Sequence, residues 1–418
     1  MSETVVPIPS GSVPEGAPAW SSADAALWAE AGPASWARAV WSVPALLAAV
    51  VWVIAEAPVP PCTDAAPCGP DWVGLAEVGL SAGLLYWLVR LPELVWGAAP
   101  VLAGVVVWVE VPDAEGAYLA ANLAVLAALA FGWAGARERV AARSRQRGLA
   151  ERAAGTRHPL PEPLGPLSRG RLALGAGLVL CAVAVGAVLP ALSGVRADER
   201  RAERATRITA EVVDPGEETV VRAGERRLNV ETGYPEDYPV GSTVTVLEDG
   251  DWRRLASEPY DAFDWQLLLL VTGLPGLSLL TAGVLARRRA GALRRAPVPA
   301  LRVLEHVDGR GVTWVHAADD TSRRAPLFGC PTVAAAPPDD GPVTNVEHVV
   351  DQRPVLDRRL HEAVLFGAPY DGGELVVVTT DRDGYPVVTH TVRPVRAHRS
   401  GGWSWWRSTA AKGFELAP

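Results

Sequence analysis

Two apolar segments with a polar stretch between them decide the fold of this chain. LALGAGLVLCAVAVGAVLPAL occupies residues 172–192, and WQLLLLVTGLPGLSLLTAGVLA occupies residues 265–286, directly before three arginines. A helix that spans a bilayer needs about 20 consecutive apolar residues, and both segments have that length. We therefore predict membrane helices at 171–193 and 264–286 that carry a small polar module, residues 194–263.

Bulk composition hides this organisation. Of the 418 residues, 49% are hydrophobic and 21% are charged, which is close to the average of globular proteins. The charges are segregated from long uncharged stretches, and this segregation is typical of a membrane protein. The formal net charge of -8 argues against nucleic acid as a partner. The partner that the sequence predicts is the lipid bilayer, and a homo-oligomer is compatible with it.

Four further apolar segments complete a predicted set of six transmembrane helices. Within a transmembrane region at 37–136 they occupy residues 39–55, 72–89, 94–109 and 117–136. The third segment is short, and only a tight connector separates it from the second. We favour two separate helices joined by a short turn, with a re-entrant pair as the alternative.

Arginine positions predict which way the helices cross. Cytoplasmic loops of membrane proteins are enriched in Lys and Arg, and arginines are concentrated in residues 137–157 and 287–295. The short connectors at 58–71 and 110–116 contain neither residue type. We therefore predict a multi-pass protein of the plasma membrane with both termini in the cytoplasm and the polar module outside.

Cys62 and Cys68 are the candidates for a disulfide. Both lie in the first connector predicted to face outward, where a Pro-rich segment meets an oxidising compartment. Two free thiols or a weak metal pair are the alternatives. Cys181 lies inside a predicted span and is interpreted as a small packing residue, whereas Cys330 is predicted to be cytoplasmic and reduced.

The remaining segments are predicted to lie on the cytoplasmic side. Residues 1–36 are rich in Pro, Ala, Ser and Gly and contain no basic residue, so we expect a mostly disordered N-terminal tail with a short helix near 23–31. Residues 137–170 form a basic loop, and residues 287–418 form a β-rich domain. The predicted fold class is an α-helical membrane protein with a small extracytoplasmic β domain and a C-terminal cytoplasmic β-rich domain.

Turn signals between β-prone runs predict the strands of both soluble parts. In the polar module, Asp-Pro-Gly separates short runs at 208–213 and 219–222, and Asp-Gly-Asp separates runs at 243–247 and 252–255. With an alternating run at 227–231, these predict four or five strands in a curled sheet or barrel. In the C-terminal part, runs at 301–306 and 312–317 flank a hairpin signal, Val-Asp-Gly-Arg-Gly. Further strands are predicted at 363–366, 374–380 and 385–392.

The segment YPVGSTVTVLEDGDWRRLASEPYD, residues 238–261, carries a family resemblance. A β module between the last two spans is similar to the arrangement in uncharacterised polytopic membrane proteins of actinomycetes. PVGSTVTV also resembles the OB-type barrels of NfeD-like membrane proteins, although those proteins place the barrel after the spans. The resemblance implies a small β barrel and supplies no functional residue.

The sequence contains no recognised catalytic motif. It lacks a G-x-S-x-G elbow and a Walker A loop, and an H-E-x-x-H motif that begins at His361 is broken by Leu365. The histidines of the C-terminal part have no metal-ligand spacing. We therefore expect neither a metal site nor a cofactor.

Glu77 is the one ionisable residue clearly inside a predicted span, and charges buried in membranes are often functional. A proton or ion pathway usually needs several such groups, however. We therefore expect a non-enzymatic scaffold, interaction or sensing protein that couples the outer module to the inner domain. The alternatives are a transporter or channel component that uses Glu77 and a membrane enzyme with an unrecognised site.

Small residues recur at every fourth position of the fifth predicted span. Ala173, Gly177 and Cys181 share one helix face, and small residues let membrane helices approach closely. The pattern predicts a close helix contact at this face.

Overall fold

The structure, a computed structural model, describes residues 5–58, 61–161, 169–309, 311–334, 359–381 and 384–397. The chain divides into two compact units. The helical unit comprises Ser35–Glu138 and Gly170–Leu285. The barrel unit comprises Met1–Ala34, Arg139–Arg169 and Ala286–Pro418.

Long helices dominate the first part of the chain. The α-helices of the described residues are α1 Ser22–Glu30, α2 Ala39–Glu56, α3 Trp72–Arg90, α4 Pro92–Val105, α5 Gly116–Ala154, α6 Arg171–Arg204 and α7 Phe263–Arg295. A π-helical turn, Val106–Glu110, continues α4. All but α1 are long and apolar enough to cross a membrane, with Pro92–Glu110 counted as one helix. These six helices coincide with the six predicted spans.

Local chemistry explains where α3 and α4 begin. Asp71 caps α3, because its carboxylate accepts the backbone N–H of Gly74 at 2.8 Å, which satisfies one of the free donors of the first turn. Pro92 stands in the first turn of α4, where its missing N–H costs nothing. Only Leu91 separates the two helices. They are therefore two separate helices joined at a single residue, and the choice between two crossings and a re-entrant pair stays a prediction.

Large side chains fill the interior of the helical unit. Leu84, Trp87 and Leu102 are each 1% exposed, and the indole N–H of Trp87 donates to Ser278 Oγ at 2.8 Å. Many outward-facing side chains are apolar as well, and Trp108 is 85% exposed. Extended apolar surface of this kind is typical of helices that face lipid or a partner.

Helices α6 and α7 approach each other at backbone distance. A Cβ atom on Gly177 would lie 2.6 Å from the backbone nitrogen of Leu280, and one on Gly276 would lie 2.9 Å from that of Cys181. Real Cβ atoms do not come so close, so only glycine fits these positions. The small-residue pattern predicted in the fifth span therefore serves a contact within the chain.

The segment between α6 and α7 folds into a five-stranded sheet, which we call the β module. Its strands are β2 Thr206–Asp214, β3 Glu218–Ala223, β4 Arg226–Glu231, β5 Thr243–Asp249 and β6 Trp252–Leu255. They pair antiparallel in the order β4-β3-β2-β5-β6, and the outer strands β4 and β6 approach each other. The sheet therefore curls into a half-barrel. The predicted curled sheet of four or five strands is confirmed.

An ion pair joins the β module to the end of α6. Asp198 accepts from Arg254 at 3.0 Å, with only 9% and 15% of their side chains exposed. The same carboxylate also accepts the backbone N–H of Tyr260 at 3.3 Å. Because α6 continues to Arg204, its last turns are part of the module rather than of an apolar span.

Six strands of the barrel unit close into a ring, which we call the barrel. They are β7 Val298–Val307, β8 Val312–His316, β9 Phe328–Ala334, β10 His361–Phe366, β11 Val376–Thr380 and β12 Pro386–Thr391. Strand β7 pairs with both β8 and β10, and the ring continues through β9, β12 and β11, always antiparallel. Two-residue strands, β1 Arg157–His158 and β13 Arg396–Ala397, pair with β7 and β9. Closure leaves little free edge on which another chain can pair.

The N-terminal segment differs from the expected disordered tail. Ala19 forms a bridge with Arg302 of β7, and α1 follows directly, close to the predicted short helix. Trp20 and Trp28 are each 1% exposed and pack into the barrel core beside Phe328. The expectation of disorder is wrong for the described residues from 5 to 36, because two large aromatic side chains bury apolar area that the Pro- and Ala-rich composition conceals.

The predicted basic loop at 137–170 is also largely helical. Helix α5 continues to Ala154, and its Ala150 and Ala154 are buried in the barrel core. The barrel unit therefore consists of three chain segments, not of residues 287–418 alone. Sequence reasoning missed this because a helix with many arginines also resembles a solvated loop.

Candidate functional site

The two cysteines predicted to form a disulfide lie together. The sulfur atoms of Cys62 and Cys68 are 2.01 Å apart. Cys62 is 5% exposed and belongs to the core of the β module. Its backbone N–H donates to Asp237 Oδ2 at 2.8 Å, and that of Cys68 donates to the carbonyl of Ser257 at 2.8 Å. The bridged loop is thus fastened onto the module and helps to cover its core.

Glu77 lies on α3 among other acids. Its Oε1 is buried without a hydrogen-bond partner, and the charged groups that act on it are Glu110 and Asp71. The hydroxyl of Tyr118 donates to Glu110. The grouping consists of acids and a phenol at the ends of helices, so it resembles a local cluster rather than a pathway. The transporter or channel alternative stays a prediction.

A buried carboxyl lies in the interior of the barrel. Glu305 of β7 is opposite His361 on one neighbouring strand and Val315 on the other, so the three side chains start on the inner face of the ring. Glu305 is 5% exposed. Burial raises the pKa of Glu305 to about 7. The carboxyl therefore changes its charge close to neutral pH.

A cysteine thiol shares this interior. Cys330 of β9 is fully buried. Burial, with a contribution from the charge of Glu305, raises the pKa of the Cys330 thiol to about 12. The thiolate is the reactive form of cysteine, so this side chain is an inert packing group. Cys330 is predicted from the sequence to be cytoplasmic and reduced. The structure agrees with the second part only, because the thiol forms no disulfide.

A chain of three titratable groups lies on the outer face of the barrel. His316 Nδ1 is 3.3 Å from Asp320 Oδ2, and His316 Nε2 is 3.1 Å from His306 Nδ1. His316 is 1% exposed, whereas His306 is partly exposed. The three side chains thus form a continuous series of groups that can exchange a proton or hold a cation.

Hydrogen bonds fix the carboxylate at the end of this chain. Asp320 accepts from the backbone N–H of Arg324 at 3.1 Å and of Ala325 at 3.0 Å, and from Ser322 Oγ at 3.1 Å. Burial opposes ionisation of Asp320, but these hydrogen bonds and the one with His316 outweigh it and lower the pKa of the carboxyl. Asp320 therefore stays an anion that orients the His316 ring.

Sequence reasoning missed the histidine pair although the signal was present. His306 and His316 lie ten positions apart, which is not a ligand spacing within one helix or turn. In the β7–β8 hairpin, however, Leu304 is opposite His316 and His306 is opposite Trp314, so both imidazoles start on the same face. The predicted hairpin at 301–317 contained this information. Among the described residues, no group of three or more His, Cys, Asp or Glu side chains is arranged to hold a metal ion.

Comparison of the chain with protein-family models, with curated proteins and with solved structures finds no match in any of the three. The fold itself defines the class of protein. It has six helices long and apolar enough to cross a membrane, a five-stranded β module between the last two, and a separate six-stranded barrel.

Proposed function

We propose that this chain is a multi-pass plasma-membrane protein that couples an outer β module to a cytoplasmic barrel, without catalysing a reaction. The observation that carries the proposal is the continuity of α7. This helix begins at Phe263, where the module ends, and runs without a break to Arg295, and β7 begins at Val298. A continuous helix transmits displacement and rotation far better than a loop does.

The ends of α7 and α5 are both tied to one loop of the barrel, residues 367–375. Arg289 of α7 donates to the carbonyl of Gly372 at 2.7 Å. Gln146 of α5 accepts the backbone N–H of Asp371 at 3.1 Å. A Cβ on Gly367 would lie 2.8 Å from the side chain of Leu293 on α7. A shift of either helix would therefore reach this loop first.

The orientation rests on charge and on redox chemistry. Arginines fill the last turns of α7 and the second half of α5, whereas the connectors at 58–71 and 110–116 have none. This asymmetry favours a cytoplasmic barrel and an outer module. The cysteine pair at 62 and 68 supports the same orientation, because disulfides persist in oxidising compartments.

We expect a membrane-impermeant maleimide to label Asp251→Cys, and not Ser144→Cys, in intact cells. Asp251 is exposed in a turn of the β module, and Ser144 is exposed on the arginine-rich half of α5. After permeabilisation both variants should be labelled, and the unsubstituted chain gives the background from its own cysteines. Labelling of Ser144→Cys in intact cells, with protection of Asp251→Cys, would invert the orientation.

We expect loss of the Asp198–Arg254 ion pair of the β module to increase hydrogen exchange in the barrel loop at 367–375. Asp198→Ala removes the anion that faces the largely buried Arg254 guanidinium, which is strongly destabilising. Hydrogen exchange of the loop at 367–375 should then rise about threefold or more in the full chain. Glu211→Ala is the matched control, because it removes an ion pair with Arg222 in the same module whose side chains are 50% exposed and which contributes little. Equal exchange of the loop in Asp198→Ala and the unsubstituted chain would refute the coupling.

A further inference from the structure

We propose that His306 and His316 form a binding site for one divalent transition-metal ion, with Asp320 as the outer partner of His316. The inference stands on the geometry of the β7–β8 hairpin and is independent of the coupling function. The chain supplies two nitrogen ligands, and water completes the coordination of the ion.

The spacing of the two nitrogens suits a shared ion. Two imidazole nitrogens bound tetrahedrally at about 2.0–2.1 Å from one zinc ion lie roughly 3.3 Å apart. His316 Nε2 and His306 Nδ1 are 3.1 Å apart, and the ring centroids are 5.1 Å apart. The two nitrogens are therefore close enough to share an ion in place of the proton between them, provided that each ring turns so that both lone pairs converge on the ion.

The Asp320 carboxylate beside His316 is a typical partner of a metal-binding histidine. A histidine that binds a metal through one nitrogen almost always donates its other N–H to a carboxylate, a carbonyl or water. His316 Nδ1 faces Asp320 Oδ2 at 3.3 Å. Because Asp320 is an anion whose other contacts are all donors, the proton belongs on Nδ1. The lone pair of His316 Nε2 then points towards His306.

The hairpin holds this geometry before an ion arrives. Both histidines are fixed in the ladder, by the pairs Leu304–His316 and His306–Trp314. The indole N–H of Trp314 also donates to Asp308 Oδ2 at 3.0 Å, across the hairpin turn. His306 is partly exposed, so an ion reaches the pair from solvent without opening the core.

The ligand chemistry selects the class of ion. Imidazole suits Zn²⁺, Co²⁺, Ni²⁺ and Cu²⁺, whereas Mg²⁺ and Ca²⁺ prefer oxygen ligands. Binding through two imidazoles requires both nitrogens to be free of protons, so affinity must fall as the pH is lowered.

The test is a Co²⁺ titration of the full-length protein in detergent, purified through a tag without histidine. At pH 7.5 the unsubstituted chain should develop a visible d–d absorption band that Zn²⁺ abolishes and Mg²⁺ leaves in place. His306→Gln should lower the affinity at least tenfold, and because His306 is partly exposed this variant leaves the core closed. Asp320→Asn should lower the affinity about tenfold through the lost outer partner.

His390→Ala is the matched control, since His390 lies in the same barrel but on β12, away from the hairpin. It should bind Co²⁺ as the unsubstituted chain does. Absence of the band in the unsubstituted chain would overturn the proposal, and the pair would then be a hydrogen-bonded relay only. Unchanged affinity in His306→Gln, or equal loss in His390→Ala, would overturn it as well.

Discussion

Trp28→Ala is expected to destabilise the barrel unit by about 3–5 kcal/mol, the range found when a fully buried Trp or Phe is truncated. Trp28 is 1% exposed. Its indole N–H donates to the carbonyl of Pro369 at 2.8 Å, and its ring lies 5.7 Å from that of Trp20 and 5.8 Å from that of Phe328. Truncation removes this packing, leaves a cavity and leaves a buried carbonyl unpaired.

Hydrogen exchange of the full chain in detergent measures this effect strand by strand. Amides of β7 and β10 should exchange faster by two orders of magnitude or more, because every 1.4 kcal/mol is about tenfold. Leu27→Ala is the matched control. Leu27 precedes Trp28 on α1 but is 54% exposed, so its truncation should stay within about 0.5 kcal/mol.

A third variant separates packing from hydrogen bonding. Trp28→Phe keeps an aromatic ring but cannot donate to the carbonyl of Pro369. Its loss of free energy of unfolding should therefore lie between those of Trp28→Ala and Leu27→Ala. Were Trp28→Ala and Leu27→Ala to exchange alike, the N-terminal segment would not belong to the core of the barrel.

The helices were predictable because their signal is local. Each span is a continuous apolar run of sufficient length, and a single run carries this information without knowledge of any partner. The Asp71 cap and Pro92 mark the boundaries of α3 and α4 in the same local way. The strands of the β module could also be predicted, because turn residues separate these strands at short intervals.

The closure of the barrel was not predictable in this way. Strand β9, Phe328–Ala334, was missed because Gly329 and Pro331 interrupt it, and both residues usually argue against a strand. The structure shows why they are tolerated. Trp314 lies against Gly329 from the opposite strand, and Val392 donates to the carbonyl of Pro331. Such compensation involves residues distant in sequence.

The buried carboxyl was hidden for the same reason. Glu305 follows a strand pattern and gives no sign that its side chain is enclosed by a ring of strands. The histidine pair is different, because the register of the predicted hairpin already places both imidazoles on one face. The N-terminal tail could not be predicted without knowing that Trp20 and Trp28 are buried in the barrel core. For Glu305 and for the N-terminal tail, contacts distant in sequence decided the outcome.

Glu305→Gln is expected to stabilise the barrel by about 3 kcal/mol at pH 8 and to remove a pH dependence of the unsubstituted chain. Burial raises the pKa of Glu305 from 4.5 to about 7. Between these values the folded chain therefore holds a proton that the unfolded chain has released. Folding stability must then fall as the pH rises from 4.5 to 7 and stay low above it, because a charged carboxylate has to be kept inside the barrel.

Glutamine has the shape of the protonated acid and never acquires the charge, so its barrel should be equally stable across this range. The measurement is hydrogen exchange of β7 and β11 between pH 5 and pH 8, corrected for the intrinsic pH dependence of amide exchange. Glu362→Gln is the matched control, since Glu362 neighbours His361 but faces outward, 3.9 Å from Arg302 with 35% of its side chain exposed.

The two outcomes lead to different descriptions of the barrel. A fall in stability towards pH 8 that Glu305→Gln abolishes and Glu362→Gln retains would make the interior carboxyl a proton-sensitive element of the barrel. A flat profile in the unsubstituted chain would mean that water or a cation reaches Glu305 and keeps it ionised. Water or a bound cation would then reach the interior beside Glu305 and His361, because an enclosed carboxylate is too costly to retain without solvation or a counter-charge.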